Sequence, residues 1–261
     1  MGGGRQPHYG RHQGRARRVL RPLFRRLWQL EVTGLDHVSA RGPAILCPNH
    51  LAAIDSFVVP AVLEREVIFV GKADYLDDWK TRWLFPALGM IPIDRRGGDH
   101  ATAALDAARA VLAGGGLFAI YPEGTRSRSG RLYRGHTGAA RLAIETGAPI
   151  IPIGLVGTDA VQPVDTTRPR FGLPITVNIG SPIDVERYRS RVGDHTVYRE
   201  LIDEVMFEIR ALSGQDYENR YASEANAELA PAAAPIVDDI PTVPLLSSAD
   251  VLVSRPLSPT A

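Results

Sequence analysis

Short apolar runs alternate with helix-like segments through the middle of the chain, and this alternation limits the fold more than any other feature. Runs at Ala44–Cys47, Val67–Val70, Leu117–Tyr121, Ile150–Leu155 and Ile175–Ile179 have the length of strands. Helical segments lie between them. One spans Asp99–Ala113, with Asp99 as a candidate N-cap and Gly114–Gly116 as a stop. Another runs from about Gly138 to Glu145 and ends at Gly147. Strands and helices taken in turn predict an α/β layered domain with a central, mostly parallel or mixed sheet flanked by helices. The 261 residues are enough for one such domain of roughly 190 residues with a tail on each side.

Composition narrows the class further. The single cysteine, Cys47, argues against a disulfide framework or a cysteine-built zinc site and suits a reducing compartment. No stretch free of Asp, Glu, Lys and Arg exceeds 13 residues, short of the roughly 20 that a membrane-spanning helix needs. No apolar segment directly follows the basic N-terminus, so a secretory signal is not expected either. The net charge of +1 is unevenly spread. Residues 1–30 hold eight arginines and no acid, residues 31–221 sum to −3 and residues 222–261 to −4. Only the N-terminal arm is basic, so a nucleic-acid-binding core is not expected.

These shifts divide the chain into a basic arm (1–30), a central domain (31–221) and an Ala/Pro-rich tail (222–261) expected to be disordered. Within the arm, Met1–Gly14 is rich in Gly, Arg and His and also reads as disordered. From Arg15 on, Val19, Leu20, Leu23, Phe24, Leu27, Trp28 and Leu30 recur at helical spacing, with Arg17, Arg18, Arg21, Arg25 and Arg26 between them. This is a basic amphipathic helix. It could lie in the interface of an anionic membrane, where each basic residue adds about 1 kcal/mol. It could equally be a surface helix packed on the domain. The absence of acids among five arginines favours the membrane. Pro22 is tolerable only in a first turn or as a kink.

Two constellations could carry chemistry. Asn49, His50 and Asp55 come directly after the strand Ala44–Cys47, which places His50 at a strand-to-helix turn and Asp55 in the first turn of the next, apolar segment. Folded back, Asp55 would accept the Nδ1 proton of His50, fix the tautomer and leave Nε2 as a general base. A capping Asp beside a surface His fits the same spacing. The second constellation, Tyr121-Pro122-Glu123-Gly124-Thr125-Arg126-Ser127, follows the strand Leu117–Tyr121 and continues through Arg128 and Arg131. Hydroxyls, arginines and loop amides at a strand's end suit a phosphate. By themselves, Gly89–Arg96 and Lys72 give no assignment.

Taken in order, these segments resemble the glycerolipid acyltransferase family typified by 1-acylglycerol-3-phosphate (lysophosphatidic acid) acyltransferases. The N-H-x-x-x-x-D motif is matched by Asn49, His50 and Asp55, and G-x-I-x-I-D-R by Gly89, Ile91, Ile93, Asp94 and Arg95. F-P-E-G-T-R-S appears as Tyr121–Ser127 with Tyr for Phe, and an apolar strand with an embedded proline as Ile150–Ile153. The resemblance covers roughly residues 30–215. It implies that His50, held by Asp55, deprotonates the acceptor hydroxyl, which attacks the thioester of acyl-CoA or acyl carrier protein with no acyl-enzyme. It implies that Arg95, Glu123, Gly124, Thr125 and Arg126 bind the acceptor's phosphate, with Asn49, Lys72, Ser127 and Arg134 as possible further contacts. No metal or cofactor is implied beyond the co-substrate. The implied acceptor is a lysophospholipid and the implied location is cytoplasmic, attached peripherally to the inner face of the cell membrane.

Two departures from the family stand out. Tyr133–Gly138 replaces the family's Phe-Lys-x-Gly, and the N-terminus has only the amphipathic segment in place of an apolar hairpin. The same chemistry on glycerol-3-phosphate, another lysophospholipid or a glycolipid is the alternative, and a non-catalytic lipid-phosphate-binding module is the rival of another class. A Cys47–His50 nucleophile, a metal site on His50, Asp55 and Glu123, and a serine hydrolase built on Ser56 are each disfavoured by context.

Overall fold

The strand Ala44–Pro48 is buried along its whole length, and its side chains decide the layering. Ala44 and Leu46 enter one hydrophobic core, while Ile45 and Cys47 enter another on the opposite side. A strand with two covered faces needs helices on both. In the computed structural model, which describes residues 13–72, 89–93, 100–191 and 195–229, that is what surrounds it. For residues 13–17, 19, 20, 72, 92, 93, 100, 101 and 195 the backbone alone is described.

Among the described residues, α1 (Gln13–Leu27) and β1 (Gln29–Thr33) precede β2 (Ala44–Pro48), α2 (Asp55–Val62), β3 (Val67–Lys72) and β4 (Met90–Ile93). There follow α3 (His100–Ala113), β5 (Leu117–Ala119), β6 (Leu132–Tyr133), α4 (Gly138–Thr146), β7 (Ile150–Val156) and α5 (Thr158–Val161). The sequence of elements closes with β8 (Pro174–Ile179), α6 (Glu186–Arg189), α7 (His195–Ser213), β9 (Tyr217–Glu218) and α8 (Ala222–Leu229). Seven strands form one sheet in the order β1-β8-β7-β2-β5-β3-β4. Every neighbouring pair is parallel except β7 with β8. The mixed sheet and its flanking helices agree with the fold class read from the alternation.

The two faces are covered by different helices. Val58, Val59 and Val62 of α2 join Phe24 and Trp28 over one face. The other face carries Ala108 and Leu112 of α3, Ala139–Ile144 of α4 and the Val197–Ile209 stripe of α7. From β2 the chain crosses through α2 to β3 on one side, and from β5 it crosses through α4 to β7 on the other. The direction of winding therefore reverses between β2 and β5. In open α/β sheets ligands enter at the carboxyl ends of the strands beside such a reversal.

The sequence-based boundaries shift at three places. The amphipathic segment does not stay helical to Leu30: α1 stops at Leu27 because Gln29–Thr33 pairs in parallel with Pro174–Asn178. The division at residue 30 consequently falls inside β1. Helix α8 occupies Ala222–Leu229, residues that composition had assigned to a disordered tail, and Ala222 and Ala225 pack with Tyr133. Packing of small residues against a buried ring overrides a local composition that signals no order. Pro22 lies inside α1 and faces solvent, where water can take up the carbonyl left without a helical partner. Asp99, the candidate N-cap of α3, is outside the described residues, as are residues 1–12 and 230–261.

Candidate active site

Adjacent parallel strands bring the two sequence constellations together. β2 and β5 pair at Ala44↔Leu117 through Leu46↔Ala119, so the loops that leave their carboxyl ends are neighbours. The contact is then fixed through His50. Its backbone N–H donates to Glu123 Oε1 at 3.0 Å, and its carbonyl accepts the Ser127 N–H at 2.8 Å. Both peptide groups of the residue that bears the imidazole are thus held by the Tyr121–Ser127 loop.

The imidazole itself is held by Asp55. Nδ1 of His50 lies 2.9 Å from Asp55 Oδ2, and the same oxygen accepts the N–H groups of Leu51 and Ala52 at 2.8 Å each. Asp55 is fully buried and opens α2, where the helix N-terminus favours a carboxylate. A carboxylate facing Nδ1 makes that nitrogen the proton donor, so Nε2 carries the free lone pair. Tyr121 stacks on the other side of the ring, centroids 3.9 Å apart and planes 18° from parallel. Its hydroxyl lies 3.5 Å from Ser56 Oγ, and burial followed by the Asp55 charge pushes the phenol's pKa up.

His50, with 16% of its side chain exposed, faces a cleft of about 330 Å³. Its lining is mixed: Phe69, Val70, Met90, Ala119 and Ile120 contribute apolar surface, and Thr125, Arg126 and His136 contribute polar groups. The Arg126 guanidinium donates from Nη1 to the Val164 carbonyl at 3.4 Å and pairs with no carboxylate among the described residues, while the Arg126 carbonyl accepts from Asn226 Nδ2 at 2.7 Å. At Gly124 φ is +73°, and a Cβ there would come within 3.0 Å of His136. Glycine alone suits that turn.

Several residues expected at the phosphate are placed otherwise. Glu123 points inward: Oε1 takes the His50 amide and Oε2 the Tyr133 amide, each at 3.0 Å. Burial pushes its pKa up to about 8 in spite of those two amides. It positions the two loops and lines no part of the cleft. Asn49 is buried beyond the end of β2, with its amide bonded to both the N–H and the C=O of Leu155 and to Gln215 Oε1. Ser127 is buried and acts through its backbone. Arg134 lies over the Tyr221 ring, 5.4 Å from its centroid. Arg95 and the Lys72 side chain are outside the described residues. Cys47 points into the second core, where burial raises its thiol pKa, so it is no partner for His50. Glu123 is equally unavailable to a metal site with His50 and Asp55, since amides hold both its oxygens.

Sequence reasoning missed His136 and the stacked Tyr121 ring. His136 lies within Tyr133–Gly138, the stretch where the chain departs from the family pattern, and it stacks on Tyr221 with centroids 4.5 Å apart. Its pKa is lowered, first by burial and then by Arg199. The Phe-to-Tyr difference at position 121 was the available signal for the second.

Comparison with known proteins agrees with this geometry. Residues 29–156 match the family model described as Acyltransferase. The chain is 30% identical over 162 residues to a 1-acyl-sn-glycerol-3-phosphate acyltransferase of Cocos nucifera, covering 59% of this chain and 50% of that protein. It is 33% identical over 165 residues to one from Limnanthes douglasii, covering 60% and 55%. For one from Borreliella burgdorferi the identity is 29% over 154 residues, covering 59% and 61%. The chain thus spans about half the length of the curated plant relatives it matches. The crystal structure of the 1-acyl-sn-glycerophosphate (LPA) acyltransferase PlsC from Thermotoga maritima has the same fold, with a TM-score of 0.57 at 18% identity over 77% of this chain and 82% of that one.

Proposed function

We propose, from the premise that residues 29–156 are an Acyltransferase-family domain, that this chain transfers an acyl group from acyl-CoA or acyl carrier protein to the free hydroxyl of a 1-acylglycerol-3-phosphate, giving phosphatidic acid. The observation that carries this reading is the His50–Asp55 pair at 2.9 Å, facing a cleft whose lining combines the guanidinium of Arg126, unpaired with any carboxylate among the described residues, with apolar side chains.

In this reading Nε2 of His50 accepts the hydroxyl proton as the oxygen attacks the thioester carbonyl. The tetrahedral intermediate collapses, the C–S bond breaks and the leaving thiolate receives the proton from the imidazolium. No acyl-enzyme forms. A positioned base contributes about 10²–10⁴-fold, and a thioester is reactive enough for base and positioning to suffice. Arg126 and Thr125 hold the acceptor's phosphate, Arg126 by charged hydrogen bonds, and the apolar part of the lining accommodates fatty chain. Such an acceptor resides in a bilayer. In this reading the chain works attached peripherally to the anionic inner face of the cell membrane; among the described residues no helix is long and apolar enough to cross one.

Thiol release from acyl-CoA, with and without lysophosphatidic acid, tests the reading. Release depends on acceptor in the wild type and is lost in His50→Ala, while Arg126→Ala raises KM for the acceptor far more than for the donor. A panel of glycerol-3-phosphate, other lysophospholipids and glycolipids separates the acceptors. Retention of most turnover by His50→Ala overturns the mechanism.

A further inference from the structure

The last turn of α1 cannot lay its apolar face in a bilayer, because Phe24 and, just beyond the helix, Trp28 are buried in the domain core. Their rings pack together at 4.9 Å. Apolar groups that do stay exposed in this part of the molecule include one from outside the arm and one of its own periodic set. Phe171, 64% exposed, sits in the loop 162–173 with its ring 5.6 Å from that of Trp28, and Leu23, 42% exposed, lies on the flank of α1. The loop that carries Phe171 also carries Arg168 and Arg170, and α1, whose end that loop contacts, carries Arg18, Arg21, Arg25 and Arg26. None of these six guanidinium groups is in an ion pair among the described residues, although most other arginines described are.

The topology places this surface at the same end of the sheet as the cleft. β8 runs antiparallel to β7 and β1 runs parallel to β8, so Gln29 and Pro174 begin their strands where β7, β2 and β5 finish. The loop 162–173 spans the distance between. At its start, Val164 accepts from Arg126 and Asp165 pairs with Arg128 at 2.6 Å. At its end, the Arg170 carbonyl accepts Trp28 Nε1–H and Gly172 N–H donates to the Leu27 carbonyl, both at 2.7 Å. One segment therefore touches Arg126 of the cleft lining and the basic helix.

We infer that Phe171, on a loop tied to the end of α1, and the unpaired arginines of that helix and loop form a docking surface for an anionic lipid bilayer, with Phe171 as the inserting side chain. An exposed aromatic among unpaired cations matches the chemistry of the acyl–headgroup boundary: the ring enters the apolar layer while the guanidinium groups remain at the phosphates. The inference deepens the proposed reading by naming the surface through which lipid would reach the cleft, but the binding itself stands apart from the chemistry of His50.

Co-sedimentation of the full-length protein with vesicles tests it, using phosphatidylcholine alone and phosphatidylcholine with roughly one-third phosphatidylglycerol. Binding is expected to the anionic vesicles and to weaken with salt. Phe171→Asp should weaken it about tenfold and Phe171→Trp should leave it as in the wild type. Arg25→Glu with Arg26→Glu should weaken it by about 25-fold or more, as each arginine is worth about fivefold. Thermal midpoints equal to wild type, and unchanged turnover of Phe171→Asp on a short-chain lyso-acceptor kept monomeric, establish that these variants are folded. Wild-type binding by both the Phe171→Asp and the double-arginine variants overturns the inference. So does binding of the surface to an acidic protein probe, acyl carrier protein, with none to vesicles. His50→Ala should bind vesicles as wild type does. If it does while the turnover experiment fails, the proposed reaction falls and the docking surface stands.

Discussion

The carboxylate of Glu123 accepts the backbone N–H of His50 at 3.0 Å, so the acid of one sequence motif holds the peptide of the base in the other. Its second oxygen takes the Tyr133 amide, and no atom of the side chain reaches the cleft. Glu123→Gln can satisfy only one of the two amides, because the new NH₂ faces the other donor. One buried N–H left without an acceptor costs about 1–3 kcal/mol. Urea denaturation should show a loss of that size, with a fall in kcat and little change in KM for the donor.

The same carboxyl makes stability depend on pH in a direction that can be stated. Burial raises its pKa from 4.5 to about 8 in the folded protein, so the native state binds this proton more tightly than the unfolded chain does. The resulting stabilisation is complete below about pH 4.5 and is lost as pH rises through about 8, with a slope of up to about 1.4 kcal/mol per pH unit in between. Urea midpoints measured from pH 5 to 8 should carry this falling contribution in the wild type and lack it in Glu123→Gln. Identical slopes in the two proteins would refute the assignment.

Much of this was legible in the chain because it is local. The buried parallel strands announced themselves as apolar runs, and His50 and Asp55 are five residues apart across one turn. β1 escaped notice because Gln29–Thr33 alternates exposed with half-buried residues and continues the apolar rhythm of α1. The jobs of Asn49 and Glu123 were not legible: residue type named them as site groups, but their partners lie 106, 73 and 10 residues away. Only the fold decides which way such a side chain turns. The sequence left two coverings open for the apolar face of the arm, and Phe24 and Trp28 are covered by the domain core. Periodicity marks an apolar face without saying whether a domain core or a bilayer covers it.

Asp55 separates two effects that a single deletion would merge. Asp55→Asn keeps an oxygen for the Leu51 and Ala52 amides but loses the charge that steadies the imidazolium. Turnover should fall about 10²–10⁴-fold with little loss of stability. Asp55→Ala leaves both buried amides unpaired and should in addition destabilise by about 2–4 kcal/mol. Equal midpoints for the two variants in a denaturation series would show that the amide bonds contribute nothing.

Tyr121 keeps the imidazole plane by contact of its ring. The stack at 3.9 Å is retained in Tyr121→Phe and lost in Tyr121→Leu. An aromatic contact of this type is worth about 0.5–1.5 kcal/mol, so kcat should be near wild type in the first variant and lower by up to about tenfold in the second. A large loss in Tyr121→Phe would instead assign the work to the hydroxyl near Ser56.

Asn49 does by side chain what the next residue of β2 would otherwise do by backbone. β2 pairs with β7 as far as Pro48↔Ile153, the Asn49 N–H still donates to the Ile153 carbonyl at 3.3 Å, and the chain then turns away at His50. The Asn49 carboxamide continues the ladder, accepting from Leu155 N–H at 2.7 Å and donating to Leu155 C=O at 2.9 Å. Asn49→Ala strips a buried donor and a buried acceptor of their partners at once and should cost about 2–4 kcal/mol. Asn49→Asp keeps the acceptor but sets a charge against the Leu155 carbonyl and should be worse than a mere loss of one bond. Both variants should lower the thermal midpoint before they alter KM for either substrate, since the side chain never meets the cleft. A variant with wild-type stability and a raised acceptor KM would return Asn49 to the binding site.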